Sequence, residues 1–516
     1  MTAEAPQRSH PKPQLVVTLP GRTPDELRHE FRRASEAGAD LVEVRLDRIP
    51  AGDVEGLATI HQIPMDYEWI PAILTLRSRS EGGEGPDEET ARLSLLQRAL
   101  EVLPFTYVDL ELARDLRIAR SLRDSYGRNL GQIFSAHLVE STPLGLLRKT
   151  LRDSLEIGSY GKVVLPATVG RTLGELVPLA REFAGQHYVL HTTGPSGPLL
   201  RVLAAPLGMG LVYASLPGDG SQTVEPSQLP ADRMRSFLDA MKGTPWLAVV
   251  GHPIRHSRSP LVHHRFLEQV GLPWLYVALD LVEAEEFRPA LTALKTLGLR
   301  GVNVTLPYKE LAAELADLKE EEVVTSGAAN TLAWETGPPG ALHAFNTDVS
   351  ALARILTEVG EEGWSGESLL VLGAGGASRA VIAAGVEQGA HVFVTGRDRA
   401  RVERTVQDFP SEFVSYLPPD ALRPEGLVVN ATPVGMAGSA PLSVPLEKAF
   451  RRGGILLDLV YSPADPFLRR AAEQAGVRYL GGGRMLVYQA AESFERFTGR
   501  KAPQQLMSEL VREVDG

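Results

Sequence analysis

The sequence contains no cysteine, which excludes disulfide bonds, a thiolate nucleophile and metal sites built from thiolates. It also lacks any apolar run near the roughly 20 residues that a membrane-spanning helix requires. Residues 1–14 are polar and proline-bearing, without the apolar stretch of a secretory signal. We therefore expect a soluble, cytoplasmic protein, and no pattern in the sequence predicts a metal site.

Positive charge is in deficit, with 53 lysines and arginines against 64 aspartates and glutamates and a formal net charge of -11. This balance argues against a nucleic acid or an anionic membrane as a partner. An anionic small-molecule substrate must then be held by local arginines and lysines. The length of 516 residues predicts two or three domains, and nothing in the sequence indicates an oligomeric state.

Eight short apolar segments alternate with amphipathic stretches in the first half of the chain. Thr23 is an N-cap candidate for a helix over 24–37, and residues 88–102 show a second helical pattern. Eight strands alternating with helices predict an α/β fold, a (β/α)8 TIM barrel, over residues 12–242. The strand segments begin at Gln14, Ala39, Trp69, Thr106, Gln132, Lys162, His187 and Gly210.

A lysine and a histidine in this half are candidates for catalysis. Lys162 begins an apolar run, and burial with neighbouring cations would lower its pKa, so that the amine attacks a carbonyl. Alternatively, Lys162 extends its ammonium to solvent from the start of a strand. His137 is suited to general acid–base catalysis near neutral pH, or it is a hydrogen-bonded core histidine.

Several polar residues fall late in the predicted strands, where the active sites of such barrels lie, namely Glu43, Arg45, Arg77, His137 and His191. Glu43 with Arg45, and Arg77 with Glu81, are suited to holding a carboxylate and hydroxyl groups. They are equally consistent with structural ion pairs inside the barrel.

The second half contains a dinucleotide-binding signature, LLVLGAGGASRA, over 369–380. It reads as a strand, a glycine turn and the start of a helix, and the next strand follows at 391. After that strand, Arg397, Arg399 and Arg401 are suited to a 2′-phosphate, which favours NADP, whereas Asp398 is an acid of the kind that NAD enzymes use. The residues of the predicted turn are Gly373, Ala374, Gly375, Gly376 and Ala377.

Small polar side chains upstream of this turn suit a polyhydroxylated ring, which needs several directional hydrogen bonds. Lys309 in GVNVTLPYK and Asp348 in FNTD are candidates for proton transfer while hydride moves. Alternatively, Lys309 is an exposed lysine at a helix start and Asp348 is the N-cap of a helix ending at Val359. The small polar residues are Ser257, Ser259, Thr305, Asn330 and Thr347.

The first half resembles the type I 3-dehydroquinate dehydratases in three motifs: EVRLD at 43–47, TLRSRSEGG at 75–83 and SAHLVESTP at 135–143. The resemblance implies that Lys162 forms a Schiff base with 3-dehydroquinate, that His137 transfers protons and that Glu81 orients His137. It also implies a set of substrate-binding residues, namely Glu43, Arg45, Arg77, Arg201 and Gln228.

This half departs from the family's pattern in three places. The lysine strand is GSYGKVV, where the family has Asp-Ile-Val-Lys, and the family's serine-arginine is Leu200–Arg201. Val224 stands where the family has serine in a loop that leads to Gln228. The sequence therefore does not predict whether this loop closes over the substrate.

From residue 246 nearly to its end, the chain resembles shikimate dehydrogenase, including NATPVGM at 430–436 and GGGRMLVYQAAESF at 481–494. The resemblance implies a substrate domain at 246–346, to which helices at about 484–516 return, and an NADP domain at 347–483. Lys309 and Asp348 would be the catalytic pair, with Thr432 and Met485 on the nicotinamide side. Substrate contacts would come from Ser257, Ser259, Thr305, Asn330, Tyr461 and Gln489.

Together the two resemblances imply consecutive shikimate-pathway reactions: dehydration of 3-dehydroquinate, a lyase step, and reduction of 3-dehydroshikimate by NADPH. Two alternatives stay open at this point. One is an NAD-dependent quinate or shikimate dehydrogenase whose barrel is weak or inactive, favoured by Asp398. The other is a non-catalytic metabolite sensor built from the same domains.

Overall fold

The computed structural model divides the chain into two compact units. The first comprises Met1–Pro245 and Pro273–Gly298, and the second comprises Trp246–Leu272 and Leu299–Gly516. The structure describes residues 12–62, 70–218, 225, 227–240, 243–254, 257–335, 340–360, 363–409, 411–422, 425–436, 445–461 and 467–515.

Eight parallel strands form the sheet of the first unit, in the order β7-β6-β5-β4-β3-β2-β1-β8. They are β1 (Gln14–Leu19), β2 (Leu41–Arg45), β3 (Ala72–Thr75), β4 (Tyr107–Glu111), β5 (Gly131–His137), β6 (Tyr160–Pro166), β7 (Tyr188–Thr193) and β8 (Leu211–Ser215). Between and after them lie α1 (Pro24–Glu36), α2 (Glu89–Val102), α3 (Leu116–Tyr126), α4 (Leu144–Ile157), α5 (Val169–Arg171), α6 (Val177–Glu182), α7 (Leu199–Val202) and α8 (Ala231–Asp239).

The sheet closes into a barrel at the seam between β7 and β8, where the Gly210 amide donates to the Tyr188 carbonyl at 2.9 Å. This confirms the predicted (β/α)8 barrel. Trp69, the predicted start of the third strand, lies outside the described residues. The prediction that Lys162 begins its strand is wrong: β6 starts two residues earlier, because Tyr160 and Gly161 already pair with the neighbouring strands.

Side chains of alternate residues on each strand point into the barrel and form layers. The lowest layer is apolar and includes Val16, Leu41, Ile73, Ile133 and Val189. Two residues further along each strand, the inward positions are mostly polar, and all of them are buried. This polar layer, at the level of Lys162, consists of Thr18, Glu43, Thr75, Asp109, Ser135, Lys162, His191 and Tyr213.

The chain after the barrel continues with alternating strands and helices. They are β9 (Trp246–Gly251), α9 (Ser259–Gln269), β10 (Leu275–Asp280), α10 (Phe287–Thr296), β11 (Leu299–Val304), α11 (Lys309–Leu315), β12 (Leu318–Lys319), α12 (Glu321–Ser326), β13 (Thr331–Trp334), β14 (Leu342–Phe345) and α13 (Thr347–Val359). Of these, β10 and α10 group with the first unit. The strands of the second unit follow the order β9-β11-β13-β14-β12 in a mixed sheet.

A second sheet in this unit is entirely parallel, in the order β17-β16-β15-β18-β19-β20. This is the doubly wound order of dinucleotide-binding domains, with its switch point between β15 and β18. Its elements are β15 (Ser368–Leu372), α14 (Gly376–Glu387), β16 (His391–Thr395), α15 (Arg399–Gln407), β17 (Val414–Tyr416), β18 (Glu425–Asn430), β19 (Phe450–Asp458), α16 (Phe467–Gln474) and β20 (Arg478–Leu480).

The last two helices are α17 (Gly483–Thr498) and α18 (Gln504–Asp515). Helix α17 packs against α9, α13, β11 and β13, which places its buried face on the mixed sheet and its flanking helices. Among the described residues, no helix combines the length and the apolar character needed to cross a membrane.

Candidate active sites

Lys162 is buried in the polar layer of the barrel. Its Nζ lies 3.0 Å from Asp109 Oδ2 and 3.5 Å from Glu43 Oε1. The same nitrogen sits 4.0 Å from the centroid of the Tyr213 ring. The amine is therefore enclosed by two carboxylates and an aromatic face, and it does not extend to solvent.

The pKa of Lys162 is raised, which contradicts the expectation of a lowered value. Burial acts to lower this pKa, but Asp109, Tyr213 and Glu43 together outweigh burial. Sequence analysis missed Asp109, whose own pKa is held far below its usual value by Lys162 and Arg77 despite burial. The signal was present in the β4 sequence, where Asp109 and Glu111 alternate and so share one face of a buried strand.

Arg77 links Asp109, which contacts Lys162, to Glu81, which contacts His137. Its guanidinium donates to Asp109 at 3.1 Å and to Glu81 at 2.9 Å. Glu81 Oε2 in turn lies 3.1 Å from His137 Nδ1 and accepts the His137 backbone amide at 3.2 Å. The structure thus brings Arg77, Glu81 and His137 together as the sequence predicts, with Glu111 at 3.5 Å from Arg77 on the far side.

Burial and neighbouring charges shift the pKa values of this pair in opposite directions. Burial raises the pKa of Glu81 to about 7, with a further contribution from Glu111, although Arg77 opposes it. Burial, Arg77 and Lys162 lower the pKa of His137 well below its ordinary value. His137 is therefore neutral near pH 7 and able to accept a proton, while Glu81 titrates in the physiological range.

The remaining predicted residues of the barrel site occupy different positions. Arg45 forms a two-pronged pair with Asp47, with both contacts at 2.8 Å. Gln228 donates to Thr18 at 3.1 Å, and Thr18 donates to Glu43 at 2.9 Å, so Gln228 joins the polar layer. Val224 lies outside the described residues.

Arg201 is buried on α7 and is only partly paired. Its Nη1 donates to the Thr192 carbonyl at 2.8 Å and to Ser227 Oγ at 3.1 Å, whereas Nε has no partner among the residues that the structure describes. Burial lowers its pKa to about 10, although Glu225 opposes this shift. A buried guanidinium of this kind is suited to a carboxylate ligand.

In the second unit, Lys309 and Asp348 form a buried ion pair. Lys309 Nζ lies 2.5 Å from Asp348 Oδ2, and the two side chains are 13% and 8% exposed. Asn346, not Asp348, caps α13, since its side chain accepts the Asp348 amide. Both alternatives left open by the sequence, an exposed lysine and a capping aspartate, are therefore excluded.

Buried amides fix the position of Asp348. Asn330 accepts the Thr347 amide at 2.9 Å and donates to the Thr347 hydroxyl at 3.0 Å, which anchors the first turn of α13. Asn303, which sequence analysis missed, is buried and donates to the Thr331 hydroxyl at 3.0 Å. The motif GVNVTLPYK contains Asn303, so the signal was present two residues before Thr305.

The other polar residues predicted to contact substrate are placed as follows. Tyr461 hydrogen-bonds to Ser257 and to the backbone of Arg258, and burial raises its pKa. Ser259 is the first residue of α9, and its amide donates to Ser257 Oγ at 3.3 Å. Gln489 is buried on α17, where its side chain donates to the Leu486 carbonyl at 2.9 Å.

The glycine turn lies at the switch point of the parallel sheet. Gly373 has a φ of +113°, which a side chain would strain, and a Cβ there would lie 3.1 Å from both the Ala431 carbonyl and Thr432 Cγ2. A Cβ on Gly376, where α14 begins, would lie 3.1 Å from the Lys309 side chain. The turn is thus bare backbone at a helix N-terminus beside Lys309, as a pyrophosphate and nicotinamide require.

The residues after β16 fit a 2′-phosphate. Asp398 caps α15, because its side chain accepts the Arg401 amide at 3.0 Å. Arg397 is exposed, and Arg401 donates to the Ala374 carbonyl in the glycine turn at 2.9 Å. Asp398 is therefore engaged by its own helix, while two arginines flank the place where a ribose phosphate would lie.

Met485, predicted on the nicotinamide side, belongs to the buried core of the parallel sheet. Thr432 accepts the Val434 amide at 3.2 Å and donates to Asn430 at 2.6 Å, which fixes the loop after β18 against the glycine turn.

Comparison with known proteins assigns the two halves of the chain to different enzyme families. A family model for type I 3-dehydroquinase matches residues 15–245, one for the shikimate dehydrogenase substrate binding domain matches 249–332, and one for the shikimate 5′-dehydrogenase C-terminal domain matches 482–512. A bifunctional 3-dehydroquinate dehydratase/shikimate dehydrogenase of Arabidopsis thaliana, described as chloroplastic, is 28% identical to this chain. The alignment covers 94% of this chain and 82% of the length of the Arabidopsis protein.

A shikimate dehydrogenase (NADP(+)) of Cereibacter sphaeroides is 38% identical and covers 49% of this chain and 92% of its own. The crystal structure of shikimate dehydrogenase from Aquifex aeolicus, 30% identical, covers 53% of this chain and 99% of its own with a TM-score of 0.47. The sequence comparisons show that the chain belongs to the shikimate dehydrogenase family through its second half and carries a type I 3-dehydroquinase domain ahead of it, so that it is a fusion of the two enzyme domains.

Proposed function

We propose that this chain dehydrates 3-dehydroquinate to 3-dehydroshikimate in the barrel and reduces 3-dehydroshikimate to shikimate with NADPH in the second half. The enclosed Lys162 beside the Glu81–His137 pair supports the first activity. The Lys309–Asp348 pair against the glycine turn supports the second. The product of the first site is then the substrate of the second.

The charge around Lys162 suits Schiff-base formation. The net reaction of a lysine ammonium with a ketone gives an iminium ion and water, so one positive charge is present before and after. Asp109 and Glu43 stabilise the ammonium, as the raised pKa of Lys162 indicates, and the same carboxylates stabilise the iminium. The site therefore favours the cationic intermediate, which acidifies the neighbouring C–H bond.

His137 is the base that removes this proton. It is neutral in the free site because its pKa is lowered, and Glu81 at Nδ1 leaves Nε2 to face the substrate. His137 then returns the proton to the departing hydroxyl group, which leaves as water. Arg201 is positioned for the substrate carboxylate, while Glu43, Arg45 and Gln228 are suited to its hydroxyl groups.

In the second half, Lys309 and Asp348 act on the carbonyl oxygen of 3-dehydroshikimate. NADPH supplies the hydride when it is bound, held by Gly373–Gly376 at the helix start and by Arg397 and Arg401. The Lys309 ammonium, fixed by Asp348, donates the proton that converts the carbonyl oxygen to a hydroxyl group. Small polar residues, among them Ser257 and Asn330, orient the ring.

The alternative functions find less support. An NAD enzyme was favoured only by Asp398, and that carboxylate caps α15. A non-catalytic sensor would not require both lysines to keep their carboxylate partners, yet Lys162 and Lys309 each retain them.

The observation that carries the proposal is the enclosure of Lys162 by Asp109, Glu43 and Tyr213. The test is NADPH oxidation after 3-dehydroquinate alone is added to the purified full-length protein. Oxidation is expected, because both sites then act in order. If oxidation requires added 3-dehydroshikimate, the barrel is inactive and the proposal is wrong for the first half.

Lys162→Ala separates the two activities. It should abolish dehydration of 3-dehydroquinate and leave the reduction of added 3-dehydroshikimate unchanged, since Lys309 belongs to the other unit. Lys149→Ala, an exposed lysine on α4 paired with Asp153, is the matched control and should change neither activity.

A further inference from the structure

Two polar side chains beside Lys162 are not used by the mechanism above. His191 on β7 and Tyr213 on β8 are buried, at 1% and 3% exposed. Neither His191 Nε2 nor the Tyr213 hydroxyl makes a hydrogen bond of normal geometry with the residues that the structure describes, although Lys162 lies close enough to the Tyr213 hydroxyl to act on its pKa. Their rings meet edge to face, with centroids 5.9 Å apart, across the seam where the barrel closes.

Both side chains face the barrel interior at the level of the reacting amine. Lys162 Nζ lies over the Tyr213 ring at 4.0 Å from its centroid. His191 pairs in register with Val164 on β6, and Val164 pairs with His137 on β5. His137 and His191 therefore flank the strand of Lys162 from its two sides.

A buried polar atom without a partner is destabilising, so an apolar pair would be more stable here. Phenylalanine in place of Tyr213 would keep the ring under Lys162 and remove the unpaired hydroxyl. Two such side chains, with rings that meet edge to face beside the reacting amine, indicate a hydrogen-bond partner that arrives with the substrate.

The charges around His191 and Tyr213 indicate what kind of group their hydrogen-bond partner is. The pKa of His191 is lowered well below its ordinary value by burial, Arg201 and Lys162, and the pKa of Tyr213 is raised, chiefly by burial. Both are therefore uncharged near pH 7 and can donate a hydrogen bond to a neutral oxygen. His191 lies near both Lys162 and Arg201, which disfavours a further cation beside it and favours an oxygen on the substrate.

We propose that His191 and Tyr213 form the binding site for the ketone oxygen of the dehydratase substrate and retain that oxygen while it leaves as water. This inference rests on the proposed Schiff-base function. The ketone oxygen is bonded to the carbon that Lys162 attacks, and so it must lie close to Nζ, which itself lies over the Tyr213 ring.

The step balances without another reactant. The nitrogen of Lys162 bonds to the carbonyl carbon, the carbon–oxygen bond breaks, and two of the three ammonium protons leave with the oxygen as water. The ammonium gives up one proton before the attack, because only the neutral amine has a lone pair for the carbon. That proton converts the resulting alkoxide to a hydroxyl group, and a second proton from Nζ converts the hydroxyl group to water. Donors at His191 and Tyr213 stabilise the developing negative charge on that oxygen.

The experiment measures formation of the Schiff base directly. The full-length protein, without NADPH, is mixed with 3-dehydroshikimate and quenched with sodium borohydride at successive times, and the reduced adduct on Lys162 is quantified by peptide mass spectrometry. Tyr213→Phe and His191→Phe keep the aromatic rings but remove the polar atoms. Each should slow adduct formation by about tenfold or more, the effect of losing one hydrogen bond to a developing charge.

The proposal and a purely structural role predict different results for Tyr213→Phe. Under the proposal, removal of an unpaired buried hydroxyl should slow adduct formation while the Tm is unchanged or raised. A purely structural role would instead lower the Tm as adduct formation slows. His191→Gln, which keeps a donor, should recover part of the rate that His191→Phe loses. Tyr188→Phe removes a neighbouring buried hydroxyl that is bonded to the Leu207 carbonyl, and it should leave the rate of adduct formation unchanged.

The outcomes separate the inference from the function on which it rests. If the wild-type protein forms no adduct on Lys162, the proposed Schiff-base function is wrong. If the wild type forms the adduct and both phenylalanine variants form it within twofold of the wild-type rate, the assignment of His191 and Tyr213 is wrong. Reduction of 3-dehydroshikimate by NADPH in each variant verifies that the second half is intact.

Discussion

Asp109 Oδ2 lies 3.0 Å from Lys162 Nζ, with both side chains buried in the polar layer of the barrel. Arg77 approaches the other oxygen of the same carboxylate at 3.1 Å. Asp109 thus links the amine proposed to form the Schiff base to the arginine that contacts Glu81. One carboxylate sets the charge on both sides of the site, although it sits on a strand that carries no other proposed catalytic group.

Asp109→Asn should lower the pKa of Lys162, because the largest stabilising charge beside the ammonium is removed while burial persists. The amine should then react with trinitrobenzenesulfonate at lower pH than in the wild type, as followed by mass spectrometry of the Lys162 peptide. The unit should also lose about 3 kcal/mol of stability in urea, since Arg77 and Lys162 are left buried with one partner fewer.

Ser135→Ala is the control for this substitution. Ser135 donates to the same carboxylate but carries no charge, so its removal leaves Asp109 in place. The pH dependence of Lys162 modification should match that of the wild type. Equal profiles for Asp109→Asn and the wild type would refute the role given to Asp109.

Glu81 should give the dehydratase a pH dependence centred near neutrality. Its pKa is about 7, so the carboxylate that orients His137 is protonated below this pH and ionised above it. The kcat/KM for dehydration, which reports the free enzyme, should therefore rise through about pH 7. Glu81→Gln should flatten this rise, whereas Glu84→Gln, an exposed glutamate paired with Arg22, should retain it.

The strand and helix pattern was predictable because each element is local. Strand β1 begins at Gln14 as predicted, and α1 begins after Thr23, the predicted N-cap. The glycine turn was predictable for the same reason, since a strand, a turn and a helix start follow one another within a few residues.

The charge state of Lys162 was not predictable, because its partners come from other strands. Asp109 precedes Lys162 by 53 residues, and the barrel alone brings them together. Asp398 is a separate case, since its partner, the Arg401 amide, is only three residues away; the prediction from the sequence considers this acid only as a ligand for a ribose. Contacts between distant segments require the fold.

Lys309→Met and Asp348→Asn should each reduce kcat for reduction of 3-dehydroshikimate by about 100-fold or more, the usual contribution of a positioned acid or base. Dehydration of 3-dehydroquinate should persist, since its residues lie in the other unit. Lys319→Met, at an exposed lysine of β12, is the matched control and should retain the full rate. A Lys309→Met variant with the wild-type kcat would exclude Lys309 as the proton donor.

Arg397 and Asp398 are neighbours with different expected roles. Arg397→Ala should raise the KM for NADPH while leaving that for NADH nearly unchanged, because the arginine is exposed beside the glycine turn and is suited to the 2′-phosphate. Asp398→Ala should lower the stability of the unit by about 1 kcal/mol through loss of the α15 cap, without changing the ratio of the two KM values.

Asp398→Asn sharpens this comparison, since asparagine caps helices as well as aspartate does. Its stability should stay close to that of the wild type. A shift of Asp398→Asn towards NADPH would instead show that the aspartate faces the ribose, in conflict with its role as a cap.

Two glutamates on α1 should respond to pH in opposite directions. Burial raises the pKa of Glu30 to about 7, although its carboxylate accepts the Gly21 amide at 2.8 Å. Because this folded-state pKa lies above the unfolded value, the stabilising contribution of Glu30 is complete below the unfolded pKa and is lost as pH rises to about 7. Glu30→Gln, which keeps an acceptor for Gly21, should therefore match the wild type at pH 5 and exceed it at pH 8 by about 1 kcal/mol after allowance for solvent screening.

Glu26, four residues earlier, is the internal contrast. Its pKa is lowered, chiefly by the Arg22 amide and despite slight burial, so its contribution is present above the unfolded pKa and is lost as pH falls. Glu26→Gln should be less stable than the wild type at pH 8, and the difference should shrink towards pH 4. Urea unfolding of both variants at these pH values measures the two slopes. Slopes of the same sign would mean that the burial of Glu30 does not control its protonation.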